Sequence, residues 1–224
     1  FTRSLAHRGP DGEGFFLDDE AGLALGHRRL AILDLTETGR QPLCYADGRY
    51  QLVFNGEIYN FLELRRELES KGYAFRTQTD GEVIPAAFDC WGAECQFQFN
   101  GMWAFALWDA REKTLFLSRD RFGIKPLYYM ESPERFAFAS ELKAFLHLPE
   151  CRPQPDRAAL RTVLTNPFAL EGTAQCLLEK VRRLPPGHCA QVRPGQVRLR
   201  RWWHTLDHVE EPPKRYEEQV ERFG

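Results

Sequence analysis

The chain has 224 residues, which at roughly 150 residues per domain amounts to about one and a half domains. Its 30 Lys+Arg stand against 32 Asp+Glu for a formal charge of −2, a balance that argues against the basic face of a nucleic-acid binder and against an acidic tail. Apolar residues make up 43%, with 17 Phe, 5 Trp and 7 Tyr, so there is ample material for a buried core. The longest apolar stretch, residues 102–108, is too short to cross a bilayer, and residues 1–10 lack the apolar centre of a secretory leader. Neither a membrane nor a nucleic acid is therefore expected as a partner.

In chain order, residues 24–35 read as a strand interrupted by His27, Arg28 and Arg29, followed by a loop over 36–42. Residues 50–54 form a β-prone run that should stop at the turn dipeptide Asn55-Gly56. Asn60 with Glu63 has the spacing of a capping box, which predicts a helix over 61–71 closed by Lys71-Gly72. A second helix is expected over 82–91, with Pro85 in its first turn and Gly92 ending it. Residues 102–108 are apolar at every position, as in a strand covered on both faces of a layered fold. Strands are expected at 114–118, 127–130 and 135–139. Ser140 should then cap a short helix ending near His147, and Asp156 a helix to about Leu164. A hairpin follows, 188–193 and 197–202 around Pro194-Gly195. Residues 204–215 read as a charged, Pro-rich linker, and 215–223 as the start of a further amphipathic helix.

Six cysteines, at 44, 90, 95, 151, 176 and 189, show no CxxC spacing and read as free thiols of a reducing, cytoplasmic compartment. The chain starts at Phe1 without an initiator Met and stops inside a helical pattern, which suggests a fragment.

Three polar constellations interrupt apolar segments. Arg29 is either a surface charge or a planar fork for a carboxylate. Asn55-Gly56 is either a turn or a pair of donors, one side-chain amide and one backbone N–H, aimed at a developing oxyanion. Asp80, after Thr77-Gln78-Thr79, reads as a helix N-cap. His204 and His208 have a metal-binding spacing but lie in the linker without an intervening glutamate, and Gly12 and Gly14 do not form a phosphate cradle.

Taken together and in this order, HRGPDG (7–12), GHRRLAILD (26–34), GRQPL (39–43), FNGEIYN (54–60), TDGEV (79–83), FNGMWAFALWD (99–109), SRDRFGIKPLYY (118–129), ASELKAF (139–145) and LPPGH (184–188) resemble the glutamine-hydrolysing domain of the asparagine synthetases. These are class II glutamine amidotransferases with an N-terminal nucleophile. The resemblance implies an α+β fold, a four-layer αββα sandwich of the N-terminal nucleophile hydrolase type, over residues 1–202, with 203–224 as a linker and first helix of an ATP-dependent synthetase domain. It implies Arg29 as the clamp for the α-carboxylate of glutamine, Asn55 and Gly56 as the oxyanion hole, and Glu57 and Asp80 as partners of the α-ammonium. The family nucleophile is an N-terminal Cys activated by its own α-amine. Residue 1 here is Phe, so residues 1–224 alone are expected to be inactive, the strand and helix that begin with that Cys lying upstream. ATP, Mg and aspartate belong to the synthetase domain, no cofactor is expected within the 224 residues, and a homodimer is an expected assembly. A non-catalytic domain, as in the related β-lactam-forming enzymes, is the alternative.

Overall fold

A computed structural model describes residues 1–31, 39–209 and 211–223. The doubly apolar segment does form a central strand. In β5 (Gly101–Asp109), Trp103, Phe105 and Leu107 face one core while Ala104, Ala106 and Trp108 face another. The period-2 geometry of a strand buries every side chain only where both faces of the sheet are covered. Around it lie β3 (Leu43–Tyr45), β4 (Tyr50–Ile58), β6 (Thr114–Arg119), β10 (His188–Arg193) and β11 (Gln196–Arg201). They form one antiparallel sheet in the order β11-β10-β6-β5-β4-β3. The 188–201 hairpin turns at Pro194-Gly195, with Gly195 at φ +68.

Helices α1 (Phe61–Ser70) and α2 (Val83–Trp91) cover the first face, close to their expected bounds. Leu64 and Leu68 of α1 and Val83, Ile84, Ala86 and Ala87 of α2 join Leu52, Phe54 and Trp103 in that core. Pro85 falls in the first turn of α2, where its missing N–H costs no helical bond. The capping box is not formed. The Asn60 amide instead donates to Gln98 O (2.9 Å) and accepts from Asn100 N (2.8 Å), tying the start of α1 to the turn before β5.

The second face is covered by two separate β units. One is the hairpin of β1 (Gly12–Asp18) and β2 (Leu23–Arg29). The other is β7 (Tyr128–Glu131) between β8 (Phe136–Ala139) and β9 (Val181–Arg183). Leu25, Leu127, Tyr129 and Leu184 pack from this layer onto Val53, Ala104 and Ala106. The strand expected over 24–35 ends at Arg29, and residues 32–38 of that strand and its loop lie outside the described residues.

The fourth layer is thin. A 3-10 turn at Thr2–Arg8 and the single-turn helix α3 (Leu142–Phe145) place Leu5, Ala144 and Phe145 on Met130 and Ala139. Ser140 does not cap α3, which is also shorter than expected. Glu141 holds the cap position without bonding the helix, because its carboxylate is drawn to His7 (2.9 Å), Arg8 (3.1 Å) and Lys143 (3.2 Å). Asp156 does cap α4 (Arg157–Thr165), accepting from Ala159 N at 2.9 Å. The segment expected as a linker contains a 3-10 turn, Thr205–His208, and α5 (Tyr216–Phe223) follows. His204 Nδ1 pairs with Asp207 at 3.0 Å and the His208 ring stacks on Trp203 at 3.9 Å.

Candidate functional site

A cavity of about 330 Å³ opens between the six-stranded sheet and the two β units that cover it. Arg29, Asn55, Gly56, Glu57 and Asp80, the five residues singled out in the sequence, all line it. How they come together follows from the end of β3.

Pro42 has no N–H and β3 pairs with β4 only as far as Leu43↔Leu52, so among the described residues no strand lies beside the edge of β4 beyond Leu52. Side chains take over the ladder. Phe54 N donates to Gln41 Oε1 (2.6 Å), while Gln41 Nε2 (3.1 Å) and His27 Nε2 (3.2 Å) both donate to Phe54 O. Two residues on, Trp103 opposite Gly56 turns both peptide groups away from β4, donating to Asp120 Oδ2 (3.2 Å) and accepting from Asp120 N (2.9 Å). Gly56 is therefore a non-hydrogen-bonded pair with β5, and its N–H points to the open edge. At Ile58 the same edge is closed again by Asp80 Oδ2, which accepts from Ile58 N at 2.8 Å.

The expected turn at Asn55-Gly56 is thus overturned: β4 runs straight through it, because Asn55 and Gly56 pair in register with Ala104 and Trp103. Glycine is required by close approach here, since a Cβ at 56 would collide with Met102 O and approach Trp103 Cα. Alternation puts the Asn55 and Glu57 side chains on the same face as Val53, towards the second β layer. The Asn55 Nδ2 is buried with no partner among the described residues. The same rule puts His27 and Arg29 on the Leu25 face of β2, which looks back at β4.

Asp80 is 7% exposed. Burial pushes its carboxyl above the usual range and the Glu57 charge adds to this, opposed chiefly by the Ile58 N–H. It does not hold the N-cap position of the 3-10 turn Asp80–Glu82, which falls to Thr79, and its Oδ2 reaches across to β4 instead. Glu82, 2% exposed, sets the loop that delivers it, accepting from Arg76 N, Thr77 N and Thr77 Oγ1, each at 2.8 Å, with Arg65 at 3.5 Å. Gln41, His27 and Glu82 are the supporting residues that sequence reasoning missed. The only signal was their place inside quoted motifs.

His27 carries its proton on Nε2, because Phe54 O can only accept. Burial pushes the imidazole down to about 4, with the Arg29 charge acting in the same direction. The ordinary value is 6.5, so below that pH the unfolded chain binds a proton that the folded one refuses. Stability is lost as pH falls from about 6.5 to about 4, by up to about 3 kcal/mol. Melting temperatures across that window should decline less in His27→Gln than in the wild type, and parallel slopes would contradict the assignment.

A family model described as a glutamine amidotransferase domain matches residues 1–203. Asparagine synthetase [glutamine-hydrolyzing] 1 of Bacillus subtilis is 41% identical over 193 residues, covering 86% of this chain and 30% of that protein. Asparagine synthetase [glutamine-hydrolyzing] 3 of the same organism is 34% identical over 207 residues, covering 91% and 33%. The chain thus spans about a third of the length of these relatives. Among solved structures, the glutamine phosphoribosylpyrophosphate amidotransferase of B. subtilis superposes with a TM-score of 0.57 at 20% identity, over 80% of this chain and 35% of that one. That likeness is one of fold, the αββα sandwich of the N-terminal nucleophile hydrolases. With the family model matching all but the last residues, the chain belongs to the glutamine amidotransferase domain family.

Proposed function

We propose that the cavity binds L-glutamine and hydrolyses its amide, and that the ammonia serves an asparagine synthetase-like ligase of which this chain is one part. An amino-acid amide presents an α-carboxylate, an α-ammonium and a carboxamide. The convergence of the Arg29 guanidinium, two acids and two oxyanion donors on a single cavity of about 330 Å³, whose lining also holds Arg8, Arg28 and Lys125, is the observation that carries the reading. Arg29 takes the α-carboxylate as a planar fork. Glu57 and Asp80 take the α-ammonium. Asn55 Nδ2 and the Gly56 N–H receive the oxygen of the tetrahedral intermediate, already fixed in a strand before the charge develops.

None of the six cysteines lines the cavity among the described residues, which supports a reading in which the N-terminal Cys of the family pattern supplies the attacking thiolate. Its attack gives a thioester and ammonia, and water releases glutamate. Amidation of aspartate, with ATP and Mg, belongs to a synthetase domain that residues 203–224 lead into. Among the described residues no helix is long and apolar enough to cross a membrane, and all six cysteines are unpaired, which supports a cytoplasmic setting.

Arg29→Ala in the intact protein should raise the KM for glutamine by about 10–100-fold, the worth of one charge-assisted bidentate contact, and leave ammonia-dependent asparagine formation unchanged. Equal loss of both activities would make Arg29 a structural residue. An intact protein that releases no glutamate from glutamine would instead favour the non-catalytic domain.

A further inference from the structure

Among the described residues, two buried polar atoms of this region lack partners: Asn55 Nδ2 and His27 Nδ1. Their chemistry is opposite. Asn55 Nδ2 is a donor only. His27 has committed its proton to the bond from Nε2 to Phe54 O (3.2 Å), so Nδ1 is a lone-pair acceptor. Both side chains belong to the lining of the same cavity. An unpaired buried polar atom costs free energy that a matching ligand group restores. Here the matching group needs one acceptor and one N–H donor.

We propose that His27 is a specificity residue for the carboxamide of the substrate: Nδ1 accepts from the amide NH2 while Asn55 Nδ2 donates to the amide oxygen. The pair then distinguishes glutamine from glutamate. A carboxylate has two acceptor oxygens and no proton, so one of them would face the Nδ1 lone pair, and the hydrolysis product is disfavoured in the pocket that made it. Burial supports this polarity, because it holds the imidazole neutral at pH 7 and so keeps the lone pair available. The bond on the other side of the ring has a duplicate in Gln41 Nε2, at 3.1 Å from the same carbonyl. Replacing His27 therefore leaves Phe54 O paired and β4 capped.

The inference rests on the glutamine reading above, and the experiment separates the two. In the intact protein, ammonia release gives the KM for L-glutamine and the inhibition constant of L-glutamate, whose ratio measures carboxamide selectivity. His27→Gln can still donate to Phe54 O but leaves no acceptor in the place of Nδ1. His27→Asn can put its Oδ1 there and gives up the donor. The wild-type ratio is expected to favour glutamine at least about tenfold, His27→Gln to narrow it about tenfold and His27→Asn to keep it within about twofold, the loss of one hydrogen bond to a buried acceptor. A ratio unchanged in His27→Gln, or narrowed equally in both variants, overturns the role of Nδ1 while glutamine binding stands. Absence of ammonia release in the wild type overturns the glutamine reading, and this inference falls with it.

Discussion

Asn55→Ala in the intact protein is expected to lower kcat for glutamine hydrolysis by about 10²–10³-fold, the usual cost of one oxyanion donor, with a much smaller change in KM. The reason for the split is timing. The amide oxygen of bound glutamine is only partly negative, whereas in the tetrahedral intermediate it carries a full charge, so most of the donor's worth appears in the transition state. Stability should move the other way. Asn55 Nδ2 is buried without a partner, and removing it relieves a desolvation cost on the order of 1–3 kcal/mol. The Asn55→Ala protein should therefore melt no lower than the wild type while being nearly inactive, a trade between activity and stability at one atom. Steady-state kinetics and a thermal melt on the same preparation check both halves. A matching loss of Tm and kcat would reassign Asn55 to the core.

Asp120→Ala is expected to lower the Tm by about 10 °C or more. Asp120 is 1% exposed and its two oxygens accept four backbone N–H groups: Phe122 (3.0 Å) and Ile124 (3.0 Å) on Oδ1, Trp103 (3.2 Å) and Lys125 (3.0 Å) on Oδ2. Truncation strands all four. Solvent can recover some of those on the loop, so the net cost is about 4 kcal/mol, and each kcal/mol moves the Tm of a domain of this size by about 2–4 °C. Next to it, the buried Arg119 donates to the carbonyls of Lys125 (2.7 Å), Leu184 (2.6 Å) and Gly123 (2.5 Å). The loop after β6 is thus held by two charged side chains whose partners are nearly all main chain. Asp120→Asn should recover about half of the loss, since one of its two groups still accepts. A Tm within about 2 °C of wild type for Asp120→Ala would sink the argument.

Much of the fold was legible because burial writes itself into periodicity. β5 was plain from a run apolar on both faces, and α1 and α2 from their stripes and stop signals. The misreadings share a cause. Asn55-Gly56 has the local chemistry of a turn, yet pairing with β5 overrides it, as tertiary context overrides propensity. Asn60, Ser140 and Asp80 have the composition of caps, but Asn60 and Asp80 spend their side chains on distant backbone, and the α3 cap position falls to Glu141. β1 escaped notice because only alternate residues of GEGFFLD are even half-buried. Within the site, the five residues that would meet a ligand were visible as ordered motifs. Gln41 and His27 lay inside those motifs but their role did not show, since what they do is hold one carbonyl, thirteen and twenty-seven residues away in sequence, and no local pattern encodes a bond to backbone so far along the chain.

The close approach at Gly56 has a bearing on how mutational data from this fold are read. Any side chain there is refused by Met102 O and Trp103 Cα before chemistry is consulted, so an inactive variant at this position carries no information about transition-state stabilisation. Sequence invariance at 56 would be over-determined, enforced once by packing and once by catalysis. Under the proposed function the two pressures separate at its neighbour Asn55, whose Nδ2 has no partner among the described residues.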